Sequence, residues 1–205
     1  MRILLIDDHA LFAKSLEIAL EGAPEIERLW TLADVKRAAW EIRENRPDLV
    51  LVDVNLSNIS DEDGLMLAKR IVQDIPGTAV VILTGYDLPV YRFEAQKIGA
   101  KGFINKNIEP DKLLTILQQI HVGHSYFPSS GDGIEYIEEL TDSERSILQW
   151  LSDGYKRKEI ADRLHISERT VSNHLQHIFN KLDVTSSLEA VSKGTKLGYV
   201  KPGYK

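Results

Sequence analysis

RILLIDDHA, residues 2–10, decides the fold, because a short run of mostly aliphatic residues ends there on two adjacent aspartates. Such a run is typical of a strand that is buried on both faces of a sheet. Four similar runs follow it, and stretches with helical spacing separate them. The predicted strands are RILLID (2–7), IERLWTL (26–32), DLVLVD (48–53), TAVVILT (78–84) and KGFIN (101–105), and the predicted helices lie at 9–21, 33–45, 63–74, 88–98 and 109–121. Five successive βα units predict an α/β fold with a parallel sheet, whose ligands bind at the carboxyl ends of the strands.

The pattern of the sequence changes after Gly123. The segment GHSYFPSSGDG, residues 123–133, has no sustained periodicity and is rich in turn-forming residues, which is typical of a linker. Four helical patterns with very short connections follow it: LTDSERSILQWL (140–151), KEIADRL (158–164), SERTVSNHLQHIFNKL (167–182) and SSLEAVSKGTKL (186–197). We therefore expect a first domain over 1–123, a linker over 124–138 and a small all-α domain over 139–205.

Composition limits the classes of protein that the chain can belong to. Its 205 residues include no cysteine, which excludes disulfides and thiolate metal sites. No apolar run approaches the ~20 residues of a membrane span, and the N-terminal run is too short for a signal peptide, so we expect a cytoplasmic protein with no membrane partner. The net charge of −6 disfavours nucleic-acid binding for the chain as a whole. Residues 139–205 differ, with 11 Lys and Arg against 9 Asp and Glu, a sign that suits DNA phosphates.

Five polar residues fall at the carboxyl ends of the predicted strands: Asp7, Asp8, Asp53, Thr84 and Lys106. Because these ends are neighbours in a parallel sheet, the carboxylates would repel one another unless a cation lies between them, which indicates Mg²⁺. A metal ion, an ammonium and a hydroxyl around a carboxylate are the components of a phosphoryl-transfer site, with Asp53 as nucleophile. The alternative for each aspartate is that it caps the helix that follows.

This set of residues, DDH at 7–9 with Asp53, Thr84 and Lys106, resembles the signature of receiver domains. The resemblance implies a flavodoxin-like, doubly wound five-stranded sheet of order 2-1-3-4-5, with Asp53 as phosphoacceptor. It also implies that Asp8 binds Mg²⁺ directly and that Asp7 does so through water.

The same resemblance implies further roles around the phosphoacceptor. The Asn55 backbone carbonyl is expected to be a metal ligand, and Thr84 and Lys106 are expected to hold phosphoryl oxygens. On phosphorylation Thr84 would move toward the phosphoryl group and Phe103 would swing inward. The alternative for Phe103 is an ordinary core residue.

The loop after Asp53 departs from the receiver pattern. Leu56-Ser57 stands where Met-Pro is usual, and about three residues are inserted before Asp63-Gly64. Two interpretations of the acidic residues Asp61, Glu62 and Asp63 remain open: they begin the third helix, where its dipole favours acids, or they perturb metal affinity.

The segment KEIADRLHISERTVSNHL, residues 158–175, predicts two helices joined by a tight turn, with Ser167 as N-cap of the second. On its own this could be a fragment of a helical bundle. Further residues match a known pattern, namely Leu140-Thr141, Glu144, Gly154 and Lys181-Leu182. Together with them, the segment resembles the four-helix DNA-binding domain of LuxR-type regulators of the NarL/FixJ group.

That resemblance implies that the helix from Ser167 to Leu182 enters the major groove. Asn and Gln side chains can pair with adenine, and Lys and Arg can contact phosphates. A solvated polar face is the alternative for each of these residues. The predicted DNA-binding residues are Lys156, Arg157, Lys158, Arg169, Thr170, Ser172, Asn173, Gln176 and Asn180.

The DNA-binding domain also departs from its family. Ser172 and Gln176 replace lysines that are common on the groove side, and Ser143 and Ser187 replace arginines. Fewer phosphate contacts predict weak binding by a monomer and favour a homodimer on paired half-sites. The family dimerises through its last helix, here with Leu188, Val191 and Leu197, although such residues could equally form the domain core.

We therefore expect a response regulator, not an enzyme, in which a sensor histidine kinase phosphorylates Asp53 and thereby controls binding to promoter DNA. A phosphatase of the haloacid type is one rival, but it needs a second aspartate two residues after the nucleophile, where this chain has Asn55. The other rival is a receiver-HTH protein that has lost DNA binding and acts by protein–protein contact.

Overall fold

The structure is a computed structural model that describes residues 1–56, 63–85, 87–128 and 138–200. The chain divides into two compact units, built mainly from the residues before and after position 130. The first unit contains a five-stranded, entirely parallel sheet of order β2-β1-β3-β4-β5, which confirms the predicted topology. The strands are β1 (Arg2–Ile6), β2 (Arg28–Leu32), β3 (Leu49–Asp53), β4 (Ala79–Thr84) and β5 (Gly102–Asn105).

The sheet is buried on both faces because its central strands are aliphatic throughout. Leu4 and Ile6 belong to one hydrophobic cluster, whereas Ile3 and Leu5 belong to a second one on the opposite face. All four side chains are 0% exposed. β2 lies at the edge of the sheet and is partly exposed, which explains its more polar sequence.

Helices cover both faces, as expected for a doubly wound fold. They are α1 (Ala10–Leu20), α2 (Ala38–Asn45), α3 (Gly64–Asp74), α4 (Pro89–Lys97) and α5 (Pro110–His121). α1 and α5 contribute apolar residues to one cluster, and α2 and α3 contribute to the other. The helix predicted over 33–45 instead begins with a 3-10 turn, Val35–Arg37, because the Asp34 carboxylate accepts a hydrogen bond from the Lys36 backbone N–H.

The first residues of the predicted linker pack on the first unit. The Tyr126 backbone N–H donates to the Lys101 carbonyl at 2.9 Å, and its carbonyl accepts from the Phe103 N–H at 2.8 Å. The Tyr126 and Phe127 side chains pack against the two hydrophobic clusters. The sequence gives no periodic signal for a single bridge of this kind, and residues 129–137 lie outside the described residues.

The described part of the second unit is helical, with α6 (Asp142–Ser152), α7 (Arg157–Leu164), α8 (Glu168–Leu182) and α9 (Ser187–Leu197). α6 and α9 approach closely at Gly194, where an added Cβ would lie 2.8 Å from the Leu148 Cδ2. Among the described residues no helix has the length and apolarity that crossing a membrane requires.

Glu144 and Lys181 form an ion pair that ties α6 to α8. The Lys181 Nζ donates to Glu144 Oε2 at 2.8 Å and to the Glu139 carbonyl at 3.0 Å. The Thr141 backbone N–H also donates to Glu144 Oε2, at 2.8 Å. Burial raises the pKa of the Glu144 carboxyl, but the hydrogen bonds from Lys181 and Thr141 outweigh it, so the pKa lies below its ordinary value.

We expect Glu144→Gln to lower the free energy of unfolding of this domain by about 2 kcal/mol at neutral pH, the usual contribution of a charge-assisted hydrogen bond. A lowered folded-state pKa means that the carboxylate stabilises the domain above pH 4.5 and that this contribution is lost as pH falls through the folded value. Urea unfolding of both proteins over a pH series measures this, and the two should converge in acid. Glu168→Gln, at an exposed position of α8, is the control. An equal loss in both variants, or a pH-independent difference, would contradict the assignment.

Candidate functional site

The carboxyl ends of β1, β3, β4 and β5 bring the predicted acidic residues together. Asp7 directly follows β1, and Asp53 is the last residue of β3. Because Ile6 pairs with Val52 across these strands, Asp7 and Asp53 are neighbours. Lys106 follows β5, where its backbone N–H donates to the Thr84 carbonyl at 2.8 Å.

Lys106 bridges two of the carboxylates. Its Nζ lies 2.8 Å from Asp7 Oδ2 and 2.8 Å from Asp53 Oδ2. The lysine side chain is 12% exposed, whereas those of Asp7 and Asp53 are 0% and 2% exposed. Its ammonium also lies 4.7 Å from the centre of the Phe12 ring, a cation–π contact from α1.

His9 completes the cluster, although the sequence analysis gave this residue no role. Its Nδ1 lies 2.7 Å from Asp8 Oδ1, 3.3 Å from Asp7 Oδ1 and 3.5 Å from Asp53 Oδ2. Its backbone N–H also donates to Asp7 Oδ1 at 2.8 Å. The only sequence signal was its position, directly after two aspartates at a strand end.

The surroundings of the Asp53 carboxylate favour the binding of a cation. Burial raises the pKa of its carboxyl, the Lys106 hydrogen bond and charge lower it, and the Asp7 charge raises it again, so the net shift is upward. The ionised carboxylate is therefore held at a cost in free energy that additional positive charge would relieve.

The donor set fits a hard divalent cation. Ligand atoms of Asp7, Asp8, His9 and Asp53 all lie within 4.8 Å of one another. The cluster contains three carboxylates and the ammonium of Lys106, which pairs with two of them, and a doubly charged ion that prefers oxygen ligands would balance the remaining charge. These carboxylates could hold Mg²⁺.

The remaining predicted residues of this site are Thr84, Asn55 and Phe103. Thr84 is 1% exposed at the end of β4, one position beyond Leu83, which pairs with Asp53. The Asn55 backbone N–H lowers the pKa of the Asp53 carboxyl, the smallest of the effects on that group. Phe103 is 0% exposed and already lies within a hydrophobic cluster. The metal-ligand role of the Asn55 carbonyl and the switching of Thr84 and Phe103 stay predictions.

Gly64 packs directly against the backbone of Asp53 and Val54, a role that the sequence did not reveal. Its backbone N–H donates to the Val54 carbonyl at 2.9 Å. A Cβ at position 64 would lie 1.7 Å from the Asp53 carbonyl oxygen, so only glycine fits there. Asp63 is the N-cap of α3 and accepts from the Met66 N–H at 3.0 Å, while Asp61 and Glu62 lie outside the described residues.

The second unit contains the predicted helix-turn-helix. α7 ends at Leu164, His165 adopts a left-handed conformation with φ of 54°, and α8 begins at Glu168. The Ser167 hydroxyl accepts from the Thr170 N–H at 3.1 Å, which confirms Ser167 as the N-cap. One face of α8 packs in the domain core through Val171, Leu175, Ile178 and Leu182.

The opposite face of α8 and the start of α7 present the predicted DNA-binding residues. Ser172 and Thr170 are partly buried, and their hydroxyls contact the Glu168 carbonyl and Ser167 Oγ, respectively. Gln176 Nε2 donates to Asn180 Oδ1 at 3.1 Å, so these two amides pair with each other. The exposed members of the set are Lys156, Arg157, Lys158, Arg169, Asn173, Gln176 and Asn180.

The three predicted dimerisation residues of α9 differ in exposure. Leu188 is 81% exposed, which leaves it accessible to a partner. Val191 is partly buried, and Leu197 is a buried member of the hydrophobic cluster of this domain, 6% exposed. For Leu197 the structure therefore favours the alternative of a core residue.

A buried acidic site at the strand ends of a doubly wound sheet, joined to a helix-turn-helix unit, defines the class of receiver-containing DNA-binding proteins. Residues 3–118 match the family described as "Response regulator receiver domain", and residues 138–193 match "Bacterial regulatory proteins, luxR family". The chain belongs to the bacterial two-component response regulators with a LuxR-type DNA-binding domain.

Curated relatives match over nearly the full length. The chain is 30% identical to the oxygen regulatory protein NreC of Staphylococcus carnosus (strain TM300), covering 96% of this chain and 97% of that protein. The NreC of Staphylococcus haemolyticus (strain JCSC1435) matches with the same identity and coverage.

Solved structures share the architecture. The response regulator ChrA of a heme-sensing two-component system is 26% identical, with a TM-score of 0.53 and coverage of 97% of this chain and 98% of that chain. RcsB from Salmonella enterica serovar Typhimurium, bound to the promoter P1flhDC in the presence of the phosphomimetic BeF3−, gives a TM-score of 0.70 at 20% identity, covering 96% of this chain and 98% of that chain. The RcsB likeness shows the fold alone.

Proposed function

We propose that a sensor histidine kinase phosphorylates this regulator on Asp53 and that phosphorylation controls its binding to promoter DNA. The observation that carries the proposal is the cluster of Asp7, Asp8 and Asp53 with Lys106 at 2.8 Å from two of the carboxylates. A buried carboxylate beside an ammonium, with further carboxylates that could hold Mg²⁺, is suited to phosphoryl transfer.

The chemistry follows from the positions of these groups. A carboxylate oxygen of Asp53 attacks phosphorus, the P–N bond to the kinase histidine breaks, and the imidazole of the kinase keeps the electron pair and takes up a proton. Lys106 neutralises charge on a phosphoryl oxygen, and the Thr84 hydroxyl is the donor for another. Mg²⁺, when held by Asp8 and Asp53 with Asp7 and the Asn55 carbonyl, supplies further charge neutralisation.

α8 is the proposed DNA-reading helix. Asn173, Gln176 and Asn180 lie on its exposed face, and their amides can form paired hydrogen bonds with adenine. Lys156, Arg157, Lys158 and Arg169 are exposed cations suited to phosphate contacts. We propose a homodimer on DNA in the cytoplasm, with Leu188 as the most exposed of the three predicted dimerisation residues.

The test is a DNA-binding titration at two salt concentrations, with and without Mg²⁺ plus acetyl phosphate. The probe is a labelled duplex that the phosphorylated native protein selects from a random-sequence pool, and the unselected pool measures non-specific binding. We expect phosphodonor to tighten binding to the selected duplex by about tenfold or more. Asp53→Ala should bind equally weakly with and without donor, and intact-mass measurement should show a phosphoryl adduct on the native chain alone.

Each failure has a distinct meaning. An adduct on Asp53→Ala would place the phosphoacceptor elsewhere. The native chain could also carry the phosphoryl adduct and yet bind DNA in no state. That result would contradict a role in transcription and favour a regulator that acts by protein–protein contact.

A further inference from the structure

Arg92 of α4 lies close to Asp87, which precedes α4, and to Phe103 of β5. Its Nη2 lies 2.5 Å from Asp87 Oδ1, and its guanidinium carbon lies 6.0 Å from the centre of the Phe103 ring. The Arg92 side chain is 14% exposed and that of Asp87 is 38% exposed, so the ion pair is partly shielded from solvent. One guanidinium therefore pairs with a carboxylate before α4 and lies at the outer limit of cation–π distance from an aromatic ring of β5.

Both contacts lie close along the chain to residues of the phosphorylation site. Asp87 comes three residues after Thr84, and Phe103 comes three residues before Lys106. The two strands are also paired directly, with Ile82 opposite Phe103. Arg92 is therefore placed to respond to a change at Thr84 or Lys106 that shifts the end of β4 or of β5.

We propose that Arg92 is a positioning residue that couples the Phe103 ring to Asp87, so that phosphorylation of Asp53 moves α4 and β5 together. This proposal rests on the proposed phosphorylation of Asp53. A planar guanidinium suits the role because it can stack on an aromatic ring while its N–H groups donate to a carboxylate.

The pair of contacts has a physical consequence. An arginine held by both a carboxylate and an aromatic face loses one partner when either moves, so the two contacts favour one joint arrangement. Without the guanidinium, the side-chain link between the Phe103 ring and Asp87 would be lost and the backbone pairing of β4 with β5 would remain. The coupling free energy between the Phe103 ring and Asp87 would then fall, although phosphoryl transfer to Asp53 would be unaffected.

The experiment measures amide hydrogen exchange of residues 89–105 in the full chain, with and without Mg²⁺ plus acetyl phosphate, alongside the phosphoryl adduct by intact mass. The variants are Arg92→Met, which keeps an apolar stem over the ring and removes the charge, and Asp87→Asn. Gln96→Met, at an exposed position of the same helix, is the control. Arg92→Lys, which keeps the charge but not the planar group, tests partial rescue.

In the native chain and the control we expect phosphodonor to change exchange in both α4 and β5. In Arg92→Met we expect an adduct of native extent, while the donor-induced change in α4 falls by about fivefold or more, the lower end of usual coupling effects. Asp87→Asn should have a similar effect, and the double variant should be little worse than either single one, because both remove the same link.

Three results would overturn the proposal. The first is a full native response in Arg92→Met. The second is faster exchange in that variant with the donor-induced change preserved, which would indicate a structural role only. The third is a native chain that carries the adduct but shows no change in α4 and β5. Absence of an adduct on the native chain would instead refute the proposed function on which this inference rests.

Discussion

Gly64→Ala should lower the free energy of unfolding of the receiver by about 3 kcal/mol, the upper end of the usual cost of overpacking. The added Cβ would lie 1.7 Å from the Asp53 carbonyl oxygen and 2.9 Å from the Val54 Cα, both of them backbone atoms. Neither can move without shifting the end of β3. Because alanine is otherwise favoured over glycine in a helix, this loss runs against the intrinsic preference of α3.

The measurement is chemical unfolding followed by circular dichroism, with Gly85→Ala as the matched control. An added Cβ at Gly85 meets no atom within 4 Å, and that variant should be neutral or more stable by up to about 1 kcal/mol. Equal stabilities for the two variants would mean that α3 does not pack on Asp53 as described. Because the collision is with Asp53 itself, Gly64→Ala should also slow phosphoryl transfer to a greater extent than Gly85→Ala.

Lys106→Met should abolish phosphorylation and destabilise the metal-free receiver by roughly 3 kcal/mol, because it leaves buried carboxylates without their counter-charge. The Lys106 Nζ is the ammonium 2.8 Å from both Asp7 and Asp53. Without it, the pKa of Asp53, already raised by burial, should rise further. A raised folded-state pKa means stability that is lost as pH rises, so the difference from the native chain should widen from acid to neutral pH.

Unfolding titrations in EDTA and in Mg²⁺, over a pH series, measure this effect. Mg²⁺ should recover part of the lost stability, since it supplies positive charge to the same oxygens. Lys101→Met, at an exposed lysine just before β5, serves as the control and should change stability by less than about 0.5 kcal/mol. A variant at position 106 that is phosphorylated at the native rate would show that the ammonium has no part in the chemistry.

The acidic site could be located from the sequence because of one geometric fact about parallel sheets. Residues that end neighbouring strands must meet at one edge, which brings Asp7 and Asp53 together. Lys106 follows β5 at the same edge, two strands from β3, and its long side chain reaches both carboxylates. The helix-turn-helix could also be predicted from the sequence, because the spacing of its apolar residues and the Ser167 cap are local properties.

Other features depend on how far a side chain reaches or how closely two backbones approach, which periodicity does not encode. Gly64 against Asp53, Arg92 over Phe103 and the bridge of Tyr126 to β5 are of this kind. The role of Leu197 was also not decided by the sequence. An aliphatic residue on an amphipathic helix can face its own domain or a partner, and the sequence alone does not distinguish the two.

The hydrogen bond between Gln176 and Asn180 bears on how α8 would select its DNA. A base that takes over the Nε2–H of Gln176 or the lone pair of Asn180 Oδ1 used in this contact replaces one neutral hydrogen bond with another, which adds little net binding energy. Opposite a base that offers no matching groups, the two amides can stay paired, but the N–H groups and oxygen lone pairs that this one hydrogen bond does not use lose their water without gaining a partner, which is a penalty. On this basis the amide pair contributes selectivity between sequences, whereas the strength of attachment must come from the few exposed cations and from the second subunit.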